Sequence, residues 1–257
     1  IRDREQEWLK EHQEQELKEI RSKDGLTLRA AYIPRENAKG TIICMHGYHS
    51  TNDIEFVPEV RFLWNLGYSI LLPWQRSHGK SEGRYITYGV KERHDLKRWI
   101  LYTNRHLAAK NKDIFLCGIS MGCATTLMAA GLDLPDNVKG IIADCGFTSP
   151  WDIIKHVAKE RFYLPPFPLM YMVDLISEVV AGFGLKEVSI PEIMKRNKIP
   201  VLFIHGDADD YVPMWMTIKN YEACAAKKEL YIVSGAGHAL ASVSYTHLRA
   251  HETDQYL

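Results

Sequence analysis

No stretch of the chain approaches the roughly eighteen uninterrupted apolar residues that a membrane-spanning helix needs, so no spanning helix is expected. An excess of charge of one sign is also missing. Lys plus Arg and Asp plus Glu each number 32, and with a formal net charge of zero there is no overall field to gather phosphate backbones or anionic lipid. Nucleic acid is thereby set aside as a partner. Cysteine is sparse and shows no pairing pattern: Cys44, Cys117, Cys123, Cys145 and Cys224 make an odd number without C-x-x-C spacing, and three of them lie inside apolar runs. Buried free thiols in a reducing compartment are expected rather than a disulfide framework or a zinc site. No signal peptide opens the chain, and a cytoplasmic protein is expected; the start at Ile1 instead of Met leaves room for an upstream anchor or leader. Internal repeats and low-complexity tracts are absent as well.

What is present is enough for one sizeable core, at 257 residues and 46% hydrophobic composition. Residues 1–18 are dense in Glu, Gln, Lys and Arg, with Trp8, Leu9, Leu17 and Ile20 as a thin apolar stripe, which predicts a solvated lead-in helix. Lys23-Asp24-Gly25 is a hairpin signal before the alternating segment Leu26 to Tyr32. Short apolar runs then alternate with helical patterns: Thr41 to Met45, Tyr68 to Leu72, Ile114 to Ile119, Val138 to Ala143, Val201 to Ile204 and Leu230 to Val233. Such a rhythm predicts an α/β fold, a mostly parallel central sheet with helices on both faces and its site at the carboxyl ends of the strands. An aromatic, Met-rich and Pro-interrupted insertion at about 147–196 reads as a small helical cap. The main domain is expected to span 19–242. Residues 243–257 carry no periodic pattern and resemble translated adapter sequence, so they are set apart as a non-native tail, with the final helix of the fold expected to be missing.

The sharpest chemical signal is Gly118-Ile119-Ser120-Met121-Gly122, between the apolar strand Ile114 to Cys117 and the helical run Cys123 to Ala130. This is a G-x-S-x-G elbow in strand-turn-helix context. A sharp turn forces the serine into a strained conformation, the flanking glycines remove collisions, and the hydroxyl projects at a helix N-terminus that favours developing negative charge. A serine needs a base to take its proton and a carboxylate to hold that base, and both should follow at later strand ends. The acidic cluster Asp207, Asp209 and Asp210 follows the strand at Val201 to Ile204, and Gly235-Ala236-Gly237-His238 follows the strand at Leu230 to Val233. One donor for the oxyanion should be the backbone N–H of Met121, directly after the nucleophile.

In these motifs the chain resembles the α/β hydrolases, close to their bacterial esterase-like and serine-aminopeptidase-like members, over roughly Glu19 to Ser242. The resemblance implies Ser120 as nucleophile, His238 as general base and, from the H-G-x-x-D-x-x-V-P pattern at His205 to Pro213, Asp209 as the acid. It implies the backbone N–H of Tyr48, after His46-Gly47, as second oxyanion donor. His46, His78 and His205 are expected to tie loops together. Trp74 stands where relatives commonly carry an Asp, a departure that bears on loop geometry rather than on the triad. The expected activity is hydrolysis of carboxylic esters of apolar acyl groups through an acyl-enzyme, on a small-molecule acyl substrate and without metal or organic cofactor. The alternatives are an aminopeptidase-like enzyme, for which Glu160, Asp174 and Glu178 could hold an ammonium, an acyl-thioester hydrolase, or a catalytically silent binding protein of the same fold.

Overall fold

Aliphatic runs become strands here because β-branched and long apolar side chains suit a sheet that is covered on both faces. The computed structural model describes residues 2–13, 17–107 and 112–241. Within them the strands are β1 (Leu17–Arg21), β2 (Thr27–Ile33), β3 (Gly40–Met45), β4 (Ser69–Pro73), β5 (Asp113–Ile119), β6 (Val138–Asp144), β7 (Val201–Gly206) and β8 (Lys228–Val233). They form one eight-stranded sheet in the order β1-β2-β4-β3-β5-β6-β7-β8. β1, β2 and β4 run antiparallel to their neighbours in that series, and β4-β3-β5-β6-β7-β8 are parallel throughout. The six apolar runs of the sequence fall on β3 to β8, and Ser22 to Leu26 makes the hairpin turn, with Gly25 at φ +89°.

The helices are α1 (Arg2–Gln13), α2 (Asn52–Glu55), α3 (Val57–Asn65), α4 (Glu92–Tyr102), α5 (Met121–Ala129), α6 (Pro150–Glu160), α7 (Pro166–Ile176), α8 (Ile190–Met194) and α9 (Met214–Ala223). Two buried clusters fill the layers on either face of the sheet. One gathers Leu96, Trp99, Leu127, Met194, Phe203 and Met216 from α4, α5, α8, α9 and β7; the other gathers Leu9, Ile33, Phe56, Val60 and Ile70 from α1, α3 and the strands beneath them. Among the described residues no helix is long and apolar enough to cross a membrane.

The lead-in helix departs from expectation in two ways. Leu17 and Lys18 open β1 instead of continuing it, because ladder hydrogen bonding to Ala30 and Ala31 of β2 outweighs the helical preference of a Glu- and Lys-rich stretch. It is also docked rather than merely solvated: Leu9 is buried, Trp8 meets Trp64 edge-on at 5.6 Å, and Glu5 pairs with Arg61 at 3.2 Å. The expected cap region holds α6, α7 and α8 between β6 and β7. Ser149 caps α6 by accepting the N–H of Asp152 at 3.1 Å, and α7 leaves Phe167, Tyr171, Met172, Leu175 and Ile176 exposed. The tail reading of residues 243–257 lies outside the described residues.

Trp74 is buried, with its indole against Gly79, where any Cβ would strike the ring. Next to it the buried Arg76 guanidinium bridges Asp95 at 2.6 and 2.8 Å and Asp24 at 2.9 and 3.2 Å, clamping the loop after β4 to α4 and to the hairpin. Burial pushes the Asp95 carboxyl up to about 6 against the pull of Arg76. Arg76→Met should therefore cost about 3–5 kcal/mol by leaving a buried acid without its cation. With the downward pull gone, Asp95 titrates higher still, so the folded state of the variant is penalised as pH rises. Thermal melts should show a larger fall in Tm at pH 8 than at pH 5.

Candidate active site

At the carboxyl end of β5 the chain turns into α5 through Ser120, held at φ +54° and ψ −115°. This is sterically costly backbone for a residue with a Cβ, sustained by close packing on both sides. A Cβ on Gly118 would run into the backbone of Gly122, and one on Gly122 into the carbonyl of Met45. Only glycine fits at these two positions, because α5 crosses β3 and β5 at backbone contact. Met121 opens α5, so its N–H has no intrahelical acceptor.

Three sequence-predicted side chains meet there. His238, in the loop after β8, places Nε2 2.9 Å from Ser120 Oγ and Nδ1 2.8 Å from Asp209 Oδ2. Asp209, in the loop after β7, accepts the N–H groups of Tyr211 and Val212 on Oδ1, both at 2.9 Å. His205 Nε2 stands 3.3 Å from Oδ2, while its own ring is tied to Val212 O at 2.9 Å and Thr217 Oγ1 at 2.7 Å. Burial works to raise the pKa of Asp209, but hydrogen bonds from His205 and His238, the charge of His238 and the Val212 amide outweigh it and hold the carboxyl well below the usual range. The other two acids of the cluster point elsewhere: Asp207 accepts the N–H of Gly235 at 2.6 Å, and Asp210 is an exposed partner of Arg161 at 3.4 Å.

The loop after β3 completes the mouth. His46 accepts the N–H of Gln75 at 3.0 Å, and Gln75 returns a short hydrogen bond from its amide to the carbonyl of His46. His78 accepts the N–H of His49 at 3.2 Å through Nε2 and faces Arg76 O at 2.9 Å through Nδ1. Burial lowers the pKa of His78, which keeps the ring neutral as an acceptor must be. Between these anchors sits Tyr48, its ring stacked on Tyr88 at 5.3 Å. Sequence reading missed Gln75, a half-buried acid in α2 (Glu55), and Tyr211, whose ring lies 5.1 Å from the imidazole of His238. Nothing local marks them, since only the folded chain brings them to the site.

A cavity of about 460 Å³ opens beside Tyr48, walled by Tyr85, Tyr88, Ile154, Phe183 and Leu185 and by Val173, Ile176 and Val180 of the cap region. Arg84 and His49 also line it, and none of its lining residues is acidic. Among the described residues, the grouping able to offer three metal-ligand atoms is Cys145, Asp209 and His238, within 4.8 Å of one another. In it both ring nitrogens of His238 and both oxygens of Asp209 are already engaged in the hydrogen bonds given above. All five cysteines are free and buried.

An eight-stranded, mostly parallel sheet with helices on both faces and an elbow serine at the end of β5 defines an α/β hydrolase. The chain belongs to the prolyl oligopeptidase family (Peptidase S9), whose model matches residues 81–257. It is 28% identical to the Bacillus subtilis protein YqkD over 238 residues, which cover 93% of this chain and 77% of that one. It is likewise 28% identical to thiohydrolase apmlB of Arthrinium phaeospermum over 201 residues, covering 69% of this chain and 64% of that one. Among solved structures, the Pyrococcus furiosus esterase Pf2001 superposes with a TM-score of 0.72 at 26% identity, covering 93% of this chain and 90% of that one. The protein is a hydrolase by family and by fold.

Proposed function

We propose that this hydrolase works through serine and cleaves carboxylic esters of apolar acyl groups. The observation that carries the reading is the unbroken hydrogen-bond series from Ser120 Oγ through His238 to Asp209. Ser120 attacks the acyl carbonyl as His238 Nε2 takes its proton; the imidazolium, stabilised by Asp209, then gives that proton to the leaving alcohol. Water repeats the sequence on the acyl-enzyme and frees the acid. The N–H groups of Met121 and Tyr48 hold the oxyanion, and the cavity between the Tyr48 stack and the cap receives the acyl chain.

Esters are favoured over peptide N-termini by the lining of that cavity, which offers no carboxylate to an ammonium. None of the three acids weighed for that role lines it: Glu160 is exposed beside Lys159, Asp174 accepts the Leu185 N–H, and Glu178 is exposed. Thioesters are the second reading, supported by the likeness to the thiohydrolase. The proposed domain spans 19–242 with its cap at 147–196, and the buried free thiols suit the proposed cytoplasmic setting.

Nitrophenyl esters of graded chain length, aminoacyl amides and acyl-CoA thioesters, assayed side by side, test the substrate class. Esters of short to medium chain should give the highest kcat/KM. Turnover of the amides alone would overturn the ester reading, and preference for acyl-CoA would replace it with the thioester one.

A further inference from the structure

One half-buried acid at the mouth of the site has no part in the mechanism above. Glu55, the last residue of α2, turns back so that its carboxyl accepts the N–H of Gly47 in a short hydrogen bond and meets the side chain of Ser50. A Cβ built on Gly47 would lie 2.9 Å from Glu55 Oε1 and 3.3 Å from Ser120 Cβ, so the carboxyl and the Ser120 side chain both pack against this glycine. Gly47 immediately precedes Tyr48, the proposed oxyanion donor.

Resting on the serine-hydrolase reading, we infer that Glu55 is a positioning residue of the oxyanion loop, holding the Gly47 turn in place, and that it serves as the neutral acid. A carboxylate at this spot would oppose the negative charge that grows on the substrate oxygen, in a site largely screened from water where such opposition is strong. Its surroundings favour the neutral form at moderate pH. Burial foremost lifts it to about 7, Asp144 at the end of β6 adds to the rise, and the Gly47 amide, Ser50 and the charge of His238 pull the other way. The sign follows: the productive form is present below that value and is lost as pH rises through it.

The test is the pH dependence of kcat for a nitrophenyl ester in the wild-type protein, Glu55→Gln and Glu55→Ala. Wild type should show a descending limb centred near pH 7. Glu55→Ala, without the acceptor, should lose about tenfold in kcat at pH 6 with little change in KM, the size expected for one hydrogen bond. Glu55→Gln keeps an acceptor for Gly47 and carries no charge, so it should restore kcat relative to Ala and lack the descending limb. A wild-type limb that persists in Glu55→Gln would overturn the inference, as would wild-type kcat in Glu55→Ala at pH 6. Should Glu55→Ala fail to fold, the limb in Glu55→Gln decides alone. If the wild-type protein neither turns over ester nor takes a fluorophosphonate label at any pH, the serine-hydrolase reading falls, and this inference falls with it.

Discussion

Ser120→Ala should abolish labelling by a fluorophosphonate probe and lower ester kcat by about four to six orders of magnitude, leaving only the rate that binding and the oxyanion donors sustain. The loss is expected to be this large because the proposed nucleophile and base act as one unit: without Oγ, the imidazole of His238 has no hydroxyl to deprotonate and no acyl-enzyme can form. The fold should survive the change. Ser120 hangs on backbone contacts, its N–H on the carbonyl of Asp144 at 2.9 Å and its carbonyl on the N–H of Ala124 at 3.0 Å, and alanine keeps both. An unchanged melting temperature with silent kinetics is the expected pairing. Folded Ser120→Ala that still labels would place the nucleophile elsewhere.

Asp209→Asn should cost about 10⁴-fold in kcat while altering the shape of the site very little. The reason lies in which oxygen does what. Oδ1 accepts two backbone N–H groups, from Tyr211 and Val212, so in the variant the amide oxygen must occupy that place and the NH₂ group must face His238 Nδ1. Nδ1 is then forced to accept, the ring proton moves to Nε2, and Nε2 can no longer take the proton of Ser120. A loss smaller than about tenfold would shift the role to Asp144, the other buried acid near the imidazole, which burial raises to about 6 despite the pull of His205 and His238. Stability should respond with a definite sign as well. A carboxyl held below its usual range stabilises the fold above the unfolded-state pKa, and that contribution is lost as pH falls toward the folded value. The gap in Tm between wild type and Asp209→Asn should be widest near neutrality and narrow below about pH 4.

Legibility in the sequence followed the range of the interactions involved. The elbow could be read because its requirements are local: glycines two residues on either side of Ser120, a strand before and a helix after. Strands β3 to β8 could be read because burial on both faces leaves near-continuous apolar runs. Asp209 could be singled out from Asp207 and Asp210 only through resemblance, since all three are acids on one loop, and which one faces His238 depends on how Tyr211 and Val212 turn their amides. The start of β1 was hidden because Leu17 and Lys18 read as helix by composition and become strand only by pairing with β2.

Glu55 marks the other limit. In Thr51-Asn52-Asp53-Ile54-Glu55 it is one acid in a polar stretch, with nothing nearby to separate it from a solvated surface residue. Its burial and its bond to Gly47 exist only after α2 folds against the loop that follows β3. The amino-acid sequence by itself settled residue types at short range: where the backbone must bend sharply, where apolar side chains must be covered, and which serine, histidine and acids stand at strand ends. Tertiary structure alone decided the order of the strands, the docking of α1 through Trp8 and Leu9, and the placing of Glu55 beside Ser120. Such choices depend on contacts between segments far apart in the chain, whose energies no local pattern encodes.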